Sequence, residues 1–579
     1  METHTKPVSI QGKVFKRRGS WFGLYHYGPP GEEPSFYLGT VHGTAALAPG
    51  KNKLIGICVT CRGERVDYSL EAYPAELILR TAHGCVRFSF ASSSMILAEG
   101  DEGMGLLFEK TMARHESVHE RKGGAWEAFF RMTCAVVFKG LNGSGFDFND
   151  GTAPWDLDEL SSCAVCGQTR PGPGGGFTLA MEESVFDGVV RDEYPGYAEA
   201  KASMQADWDE FIEKMPAFAA PYESAREGAE YTLWSFLTEP CGMAKHTMIL
   251  MFAANMASQW QMCQNAVALQ AHTALAVDLL LGPIERISPL GQLPDMYDDS
   301  FMESLMVKPP MHGWAVLEIL KRQDLFKAVP REKIETLYAG MGRWADWFLT
   351  HRDDDGDGLP NLVHSDESGF DDCSLWENEL QIASPEVSSY LALLFEACGE
   401  LAKRLGKPEE ESTAWFQKSK TLLSRMIGLL WDGRRFAGLS VKSRKKLYSG
   451  SIVHYMPVIL GNRLPKPILD QLVADLADPA TFFSPWGIAS ENMTSKLFVP
   501  FGWGRGCVLP PSMLYIVTGL WDTEHRAFAK KAGENYCKAL IEGDFPFFID
   551  SKTGEGRYYG CSWTACAYTV LAGLISQEE

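Results

Sequence analysis

The residues best equipped for chemistry lie together in HRDDDGDGLPNLVHSDESGFDDCSLW, His351 to Trp376, where eight acidic side chains fall within 26 residues. Carboxylates at that density have three uses: they ligate a hard cation, they solvate a turn, or two of them divide the work of proton donor and base. Asp353, Asp355 and Asp357 stand at alternate positions, as at the start of a calcium loop. The twelfth position of such a loop would be His364 where a bidentate Glu is needed, so no metal is expected. For Asp354 and Asp355 a solvated turn is the plainest account.

The elements that must hold this stretch fall into two kinds. A chain of 579 residues is too long for one ordinary core, so two domains are expected. From about Lys13 to about Val190, runs such as SFYLGTVHG, KLIGICVTCRG, AELILRTAHG and AFFRMTCAVVFKG are rich in β-branched and aromatic residues and closed by Gly. Such runs predict antiparallel strands joined by turns, in a β-sandwich, with RPGPGGGF as a flexible loop inside it. After roughly Tyr197 the period changes. VPREKIETLYAGMGRWADWFLTHR places Ile334, Leu337, Tyr338, Met341, Ala345 and Phe348 at three- and four-residue steps. In SPEVSSYLALLFEACGELAKRLGKP, Ser384 is placed to cap a helix, Pro385 sits at its first position, and Gly406 and Pro408 close it. Similar segments continue to the carboxyl end, about a dozen in all by the same criterion. Long loops rich in Gly, Pro, Trp and Asp separate them, and loops of that length are usually functional. The expected organisation is an antiparallel β-sandwich over 1–200, a linker helix over 201–225 and an all-α toroid over 226–579, in which alternate helices form an inner and an outer ring.

Charge narrows the partners. Lys plus Arg number 54 against 74 acidic residues, a formal charge of −20 with no basic tract, which excludes nucleic acid and anionic membrane and favours a neutral substrate. The amino terminus has no apolar core of a secretory signal, and apolar stretches such as MILMFAANMA are too short to span a bilayer. Fourteen cysteines are scattered irregularly. Cys163 and Cys166 form a CxxC without a second pair, and read as a turn with two thiols. A reduced, cytoplasmic protein without a cofactor is expected. Nothing in the sequence indicates an oligomeric state.

KPPMHGWAVLEIL, RDDDGDGLP, ESGFDD, SPEVSSYLALLFEACGELA, FFSPWGIAS, GWGRGCVLPP and DSKTGEGRYYGCSWTACAY follow one another between about Trp260 and Ile575. In that order they resemble the motif series of glycoside hydrolase family 63, part of which trehalases share. The resemblance implies an (α/α)6 catalytic domain behind a β-sandwich and inverting hydrolysis of an α-glycosidic bond in a small oligosaccharide or glycoside. Inversion needs two carboxyl groups about 6.5–9.5 Å apart, one protonated and one ionised. The family's acid is the Asp of S-G-W-D. Ser368-Gly369-Phe370-Asp371 matches with Phe for Trp, which implies Asp371 as general acid. Asp366, Glu367 and Asp372 around it disfavour another negative charge, and Phe370 can exclude water.

Departures from the series carry as much information. The family's sugar-binding Trp-Asp pair aligns with Trp260-Gln261, and its base aligns with Phe547, three residues before the turn that opens at Asp550. Three routes remain open. Another carboxylate takes the base's place, with Glu491 first and Asp544 and Glu555 behind it. Alternatively phosphate attacks without a base, which needs a cationic pocket from Arg505, Lys496 and His312. In the third, the protein binds sugar without cleaving it. Trp376, Trp486, Trp503 and Trp563 lie in loop motifs where a ring can stack on a pyranose. Arg505 keeps the family's W-R-G position, with Gly504 for Trp. Arg352 and Asp353 are placed to reach a sugar hydroxyl. Glu377 and Glu379 either hold hydroxyls or lead into the next helix. With the resemblance, the acidic stretch reads as one wall of an active site.

Overall fold

Every second residue of an extended chain faces the same way, and the first third of the molecule is built on that period. Lys53–Cys61 and Met104–Met112 alternate buried and part-exposed residues and pair antiparallel. The computed structural model describes residues 14–28, 33–43, 52–112, 116–131, 133–149, 151–152, 163–186, 188–377 and 379–577, with the backbone alone at 151, 152 and 163. Within them an eight-stranded and a nine-stranded antiparallel sheet occupy the N-terminal part. Rings from the two sheets meet face to face: Phe108 lies 5.3 Å from Phe138, and Phe36 5.7 Å from Phe88, centroid to centroid. The apolar positions of each strand therefore fill one layer between the sheets, as the alternating runs predict.

The CxxC is not in a turn. Cys163 and Cys166 lie on the strand Cys163–Arg170, opposite Met112 and Glu109. Three residues apart on a strand, the two positions belong to opposite faces of the sheet.

From residue 197 on, thirteen α-helices occur among the described residues. Tyr197–Lys214 lies against the strand Cys85–Ser92, and Ala220–Ser235 follows it, so two helices stand where one linker helix over 201–225 is expected. Arg331–His351 buries Ile334, Leu337, Tyr338, Met341, Ala345 and Phe348, the stripe read from the sequence. Pro385–Arg404 begins after Ser384 and ends where Gly406, at φ +68°, turns the chain. The Ser384 hydroxyl does not cap the helix; it donates to Glu386 Oε1 at 2.7 Å. Glu386 is fully buried, its carboxyl pushed up to about 7 by that burial, and a buried carboxyl has the stronger demand for a donor.

From Arg331 on, buried and half-exposed helices alternate along the chain. All ten residues of Gln259–Ala268 are buried, as are nearly all of Pro385–Arg404, Pro510–Trp521 and Ser562–Ser576. Arg331–His351, Glu409–Leu430 and Arg526–Glu542 each keep a polar outer face. Pro385–Arg404 packs on His312–Leu320, Arg331–His351 and Glu409–Leu430, and the last helix, Ser562–Ser576, packs on Ala220–Ser235 and Gln259–Ala268. Among the described residues no helix is long and apolar enough to cross a membrane. The thirteen described cysteines are all unpaired.

Candidate active site

The acidic stretch leaves Arg331–His351 at His351 and is pinned at once by a buried ion pair. Arg352 donates through both terminal nitrogens to Glu367, at 2.8 and 2.7 Å, and Glu367 is 1% exposed. Glu367 also accepts the Val363 amide at 2.8 Å. A carboxylate taken so far out of water needs that bidentate partner. The pair fixes the short 3-10 turn Ser365–Ser368, which Gly369 then reverses at φ +79°. A Cβ at Gly369 would fall 2.2 Å from the Trp260 ring, so both the backbone angle and the contact require glycine. Phe370 is fully buried beneath the turn. Asp371 emerges on the exposed side, its carbonyl accepting the Ser365 hydroxyl.

Asp371 is open to water at its surface yet ringed by protein, as on the wall of a cleft. The surrounding protein, with the hydrogen bond and charge of Asp366 and the charge of Asp372, pushes its carboxyl up to about 8 against the pull of Lys308. Asp366 moves the other way. Burial works against its charge, but the hydrogen bond from Asp371 and the Lys308 ammonium hold it below the usual carboxylate range. Lys308 Nζ donates to Asp366 Oδ1 at 2.7 Å and to the Asp366 carbonyl at 2.8 Å, and lies 3.9 Å from Asp295 Oδ2. Burial lifts Asp295 to about 7. At neutral pH the arrangement is a protonated Asp371 against an ionised Asp366, the state a general acid requires. Lys308 lies within KPPMHGWAVLEIL and Asp295 within GQLPDMYDD, both far from the acid in sequence, and the sequence reading assigned neither a role.

The other residues singled out from the sequence divide into an aromatic cluster and a set of braces. Trp503, half-buried, donates Nε1 to the Gly369 carbonyl at 2.5 Å, two residues before the acid. Its ring lies 5.2 Å from Phe547, 5.5 Å from Phe548 and 5.4 Å from Trp563, and Trp563 meets Trp260 edge-on at 4.6 Å. Trp260 and Trp563 are buried inside this cluster, and Trp260 Nε1 donates to Tyr515 at 2.6 Å. Phe547, where the family has its base, is 7% exposed among these rings. Tyr558, 60% exposed, carries the aromatic surface outward from Phe548 at 5.2 Å. Gln261 does not reach into a cleft: its carbonyl accepts the Ser258 amide at 3.0 Å, closing the capping box of Gln259–Ala268. Trp376 is buried with Nε1 on the Leu380 carbonyl at 3.2 Å, and half-buried Trp486 packs over Gly554.

Arg505 binds the Asp372 carbonyl and Glu377, tying the acid loop to the 502–506 turn. Glu491 is fully buried behind the same loop; its Oε2 accepts the Ser374 hydroxyl at 2.7 Å, and burial holds its carboxyl above the ordinary range. Glu555 is exposed and paired with Arg557 at 3.1 Å, and Asp544 adopts a left-handed φ of +57° on the turn before Phe547. None of the three cations required for a phosphate pocket is both buried and free to bind an anion. His312 is fully buried and neutral, lowered to about 4 by burial, Arg505 is engaged by carboxyl and carbonyl oxygens, and Lys496 stands exposed. Asp353, Asp355 and Asp357 do gather, with oxygens within 4.8 Å of one another, and Arg444 pairs with Asp355 and, at 2.8 Å, with Asp357. Asp353 Oδ2 accepts the Gly358 amide at 3.0 Å, an intraloop bond.

A carboxylic acid kept neutral beside a carboxylate, on an exposed loop against aromatic rings, is glycosidase equipment. Residues 285–564 match the family described as the mannosylglycerate hydrolase MGH1-like glycoside hydrolase domain. That stretch, just under half of the chain, is similar to this domain, and the protein is a glycosidase. A solved GH63 mannosylglycerate hydrolase from Thermus thermophilus, in complex with glucose, is similar over 59% of this chain and 98% of its own, at 18% identity and a TM-score of 0.52. An uncharacterized conserved protein from the same organism is similar over the same shares, at 16% identity and a TM-score of 0.51. At these identities the likeness speaks for the fold alone. A comparison with curated proteins finds no match.

Proposed function

We propose that the protein hydrolyses the α-glycosidic bond of a small neutral or weakly charged glycoside with inversion, and that Asp371 is its general acid. The arrangement that carries this reading is Asp371 set beside an Asp366 that Lys308 grips at 2.7 Å, with the Asp371 carboxyl pushed up to about 8. Asp371 gives its proton to the glycosidic oxygen as the bond from the anomeric carbon breaks, and water bonds to the opposite face of the ring and loses its surplus proton to solvent. The alternation of buried and half-exposed helices, and the contact of the last helix with the first ones, support an (α/α)6 ring that sets the acid loop at one mouth. Trp503 and Tyr558 form the aromatic side of that mouth. Glu491 enters as a brace behind Ser374, since a base must touch the attacking water and Glu491 is 0% exposed. Arg352 braces Glu367 in the same way, and the burial of His312 and the engagement of Arg505 favour hydrolysis over phosphorolysis.

The test is a panel of α-linked disaccharides and glycosides, with mannosylglycerate included because the matched family bears its name. Sugar released above the Asp371→Asn background, with β-anomer appearing first by NMR, supports the reading. No release, or α-anomer first, overturns it.

With Phe547 in the base position, water reaches the anomeric carbon over an apolar ring. A small anionic nucleophile should then outperform water in the unmodified enzyme. Azide is expected to accelerate turnover of an activated α-glycoside and to leave a β-glycosyl azide. An enzyme with a working carboxylate base would instead be indifferent to azide or inhibited by it.

A further inference from the structure

Two carboxylic groups that share a hydrogen bond do not both ionise readily, and something must decide which keeps the proton. Asp366 and Asp371 sit five positions apart in one loop and share such a bond. The deciding group comes from a distant segment. Lys308, 9% exposed, precedes the helix His312–Leu320 and grips Asp366 twice, through Oδ1 at 2.7 Å and through its main-chain carbonyl at 2.8 Å. On its far side stands Asp295, 6% exposed, at 3.9 Å.

We propose that Lys308 is the positioning residue of the acid: by holding Asp366 as the carboxylate of the pair, it assigns the shared proton to Asp371. The inference rests on the reading of Asp371 as the acid, and it adds a residue of the KPPMHGW segment whose charge, more than its bulk, matters to the reaction. The main-chain contact fixes the turn while the Oδ1 contact fixes the charge, so one ammonium sets both the geometry and the ionisation of the loop. The groups facing the pair are few. Asp372 and His364 belong to the same loop, Asp295 and Glu303 reach it through Lys308 from the 295–303 segment, and Arg505 holds the Asp372 carbonyl.

The assignment is read in the acidic step, in which the pair gives up its first proton. The full-length protein labelled at aspartate 13Cγ is titrated by NMR, with the Asp371 resonance identified by its loss in Asp371→Asn. In the unmodified protein that resonance is expected to stay still through the acidic step and to move only in the alkaline one. Lys308→Met keeps the length and removes the cation that fixes the charge on Asp366, so the first step is then divided between the two carboxyls and the Asp371 resonance should move in both. An acidic step at Asp371 in the unmodified protein overturns the proposal even if Lys308→Met does not fold, and so does a Lys308→Met titration in which Asp371 still moves only in the alkaline step. The titration needs no substrate. If the glycoside panel yields no sugar, the functional reading fails while the Lys308 assignment is still decided.

Discussion

Asp371→Asn is expected to lower kcat/KM on an α-glycoside with a sugar leaving group by about 10²–10⁴-fold, with KM little changed. Asparagine has the shape of the protonated acid and can still donate to Asp366, so the loop should stand; what it lacks is a proton to give. The leaving group therefore provides the internal control. A dinitrophenolate leaves without protonation, and the same variant should cleave a dinitrophenyl α-glycoside nearly as fast as the unmodified enzyme does. Comparable losses on both substrates would mean that Asp371 supports structure or binding, not proton transfer.

The second large effect is on stability. Arg352→Met strips both hydrogen bonds from a Glu367 that is 1% exposed, and the uncompensated carboxylate should cost about 3–5 kcal/mol in denaturant unfolding of the helical part. Activity should fall with it, because the turn carrying Asp371 is anchored on Glu367. Replacing both partners, as Arg352→Met with Glu367→Leu, removes the buried charge together with its counter-ion and should recover most of that loss. Recovery will stop short of complete, since the Val363 amide also donates to Glu367 and is left without its acceptor. If the single and double variants are equally unstable, the ion pair is not what holds the turn.

Local periodicity was legible from the chain, and long-range polar contacts were not. The strands around Lys53–Cys61 and the helix Arg331–His351 follow from periods of two and 3.6, because burial of one face is decided within the segment. Ser368 to Asp371 was legible as a motif, and the pull of Asp366 and Asp372 on Asp371 follows from their nearness in sequence. Lys308 and Asp295 were invisible for the opposite reason: they lie 63 and 76 residues before Asp371 and meet its loop only after the helices have packed. Side chains with two suitable partners were also misjudged. Ser384 looks like a cap and serves Glu386, while Gln261, aligned with a sugar-binding carboxylate, caps a helix. Phe547 was recognised as the loss of a base, but the aromatic cluster that receives it, assembled from Trp503, Phe548 and Trp563, depends on packing that no single segment encodes.

The most direct test of the central claim is the pH dependence of kcat/KM on a cleaved α-glycoside. A general acid works only while protonated, so with the Asp371 carboxyl pushed up to about 8, activity should hold through neutral pH and fall as the pH rises past that value. The same limb should be missing from the residual activity of Asp371→Asn. An alkaline limb that survives unchanged in that variant would contradict the account, because the proton that matters would then belong to another group.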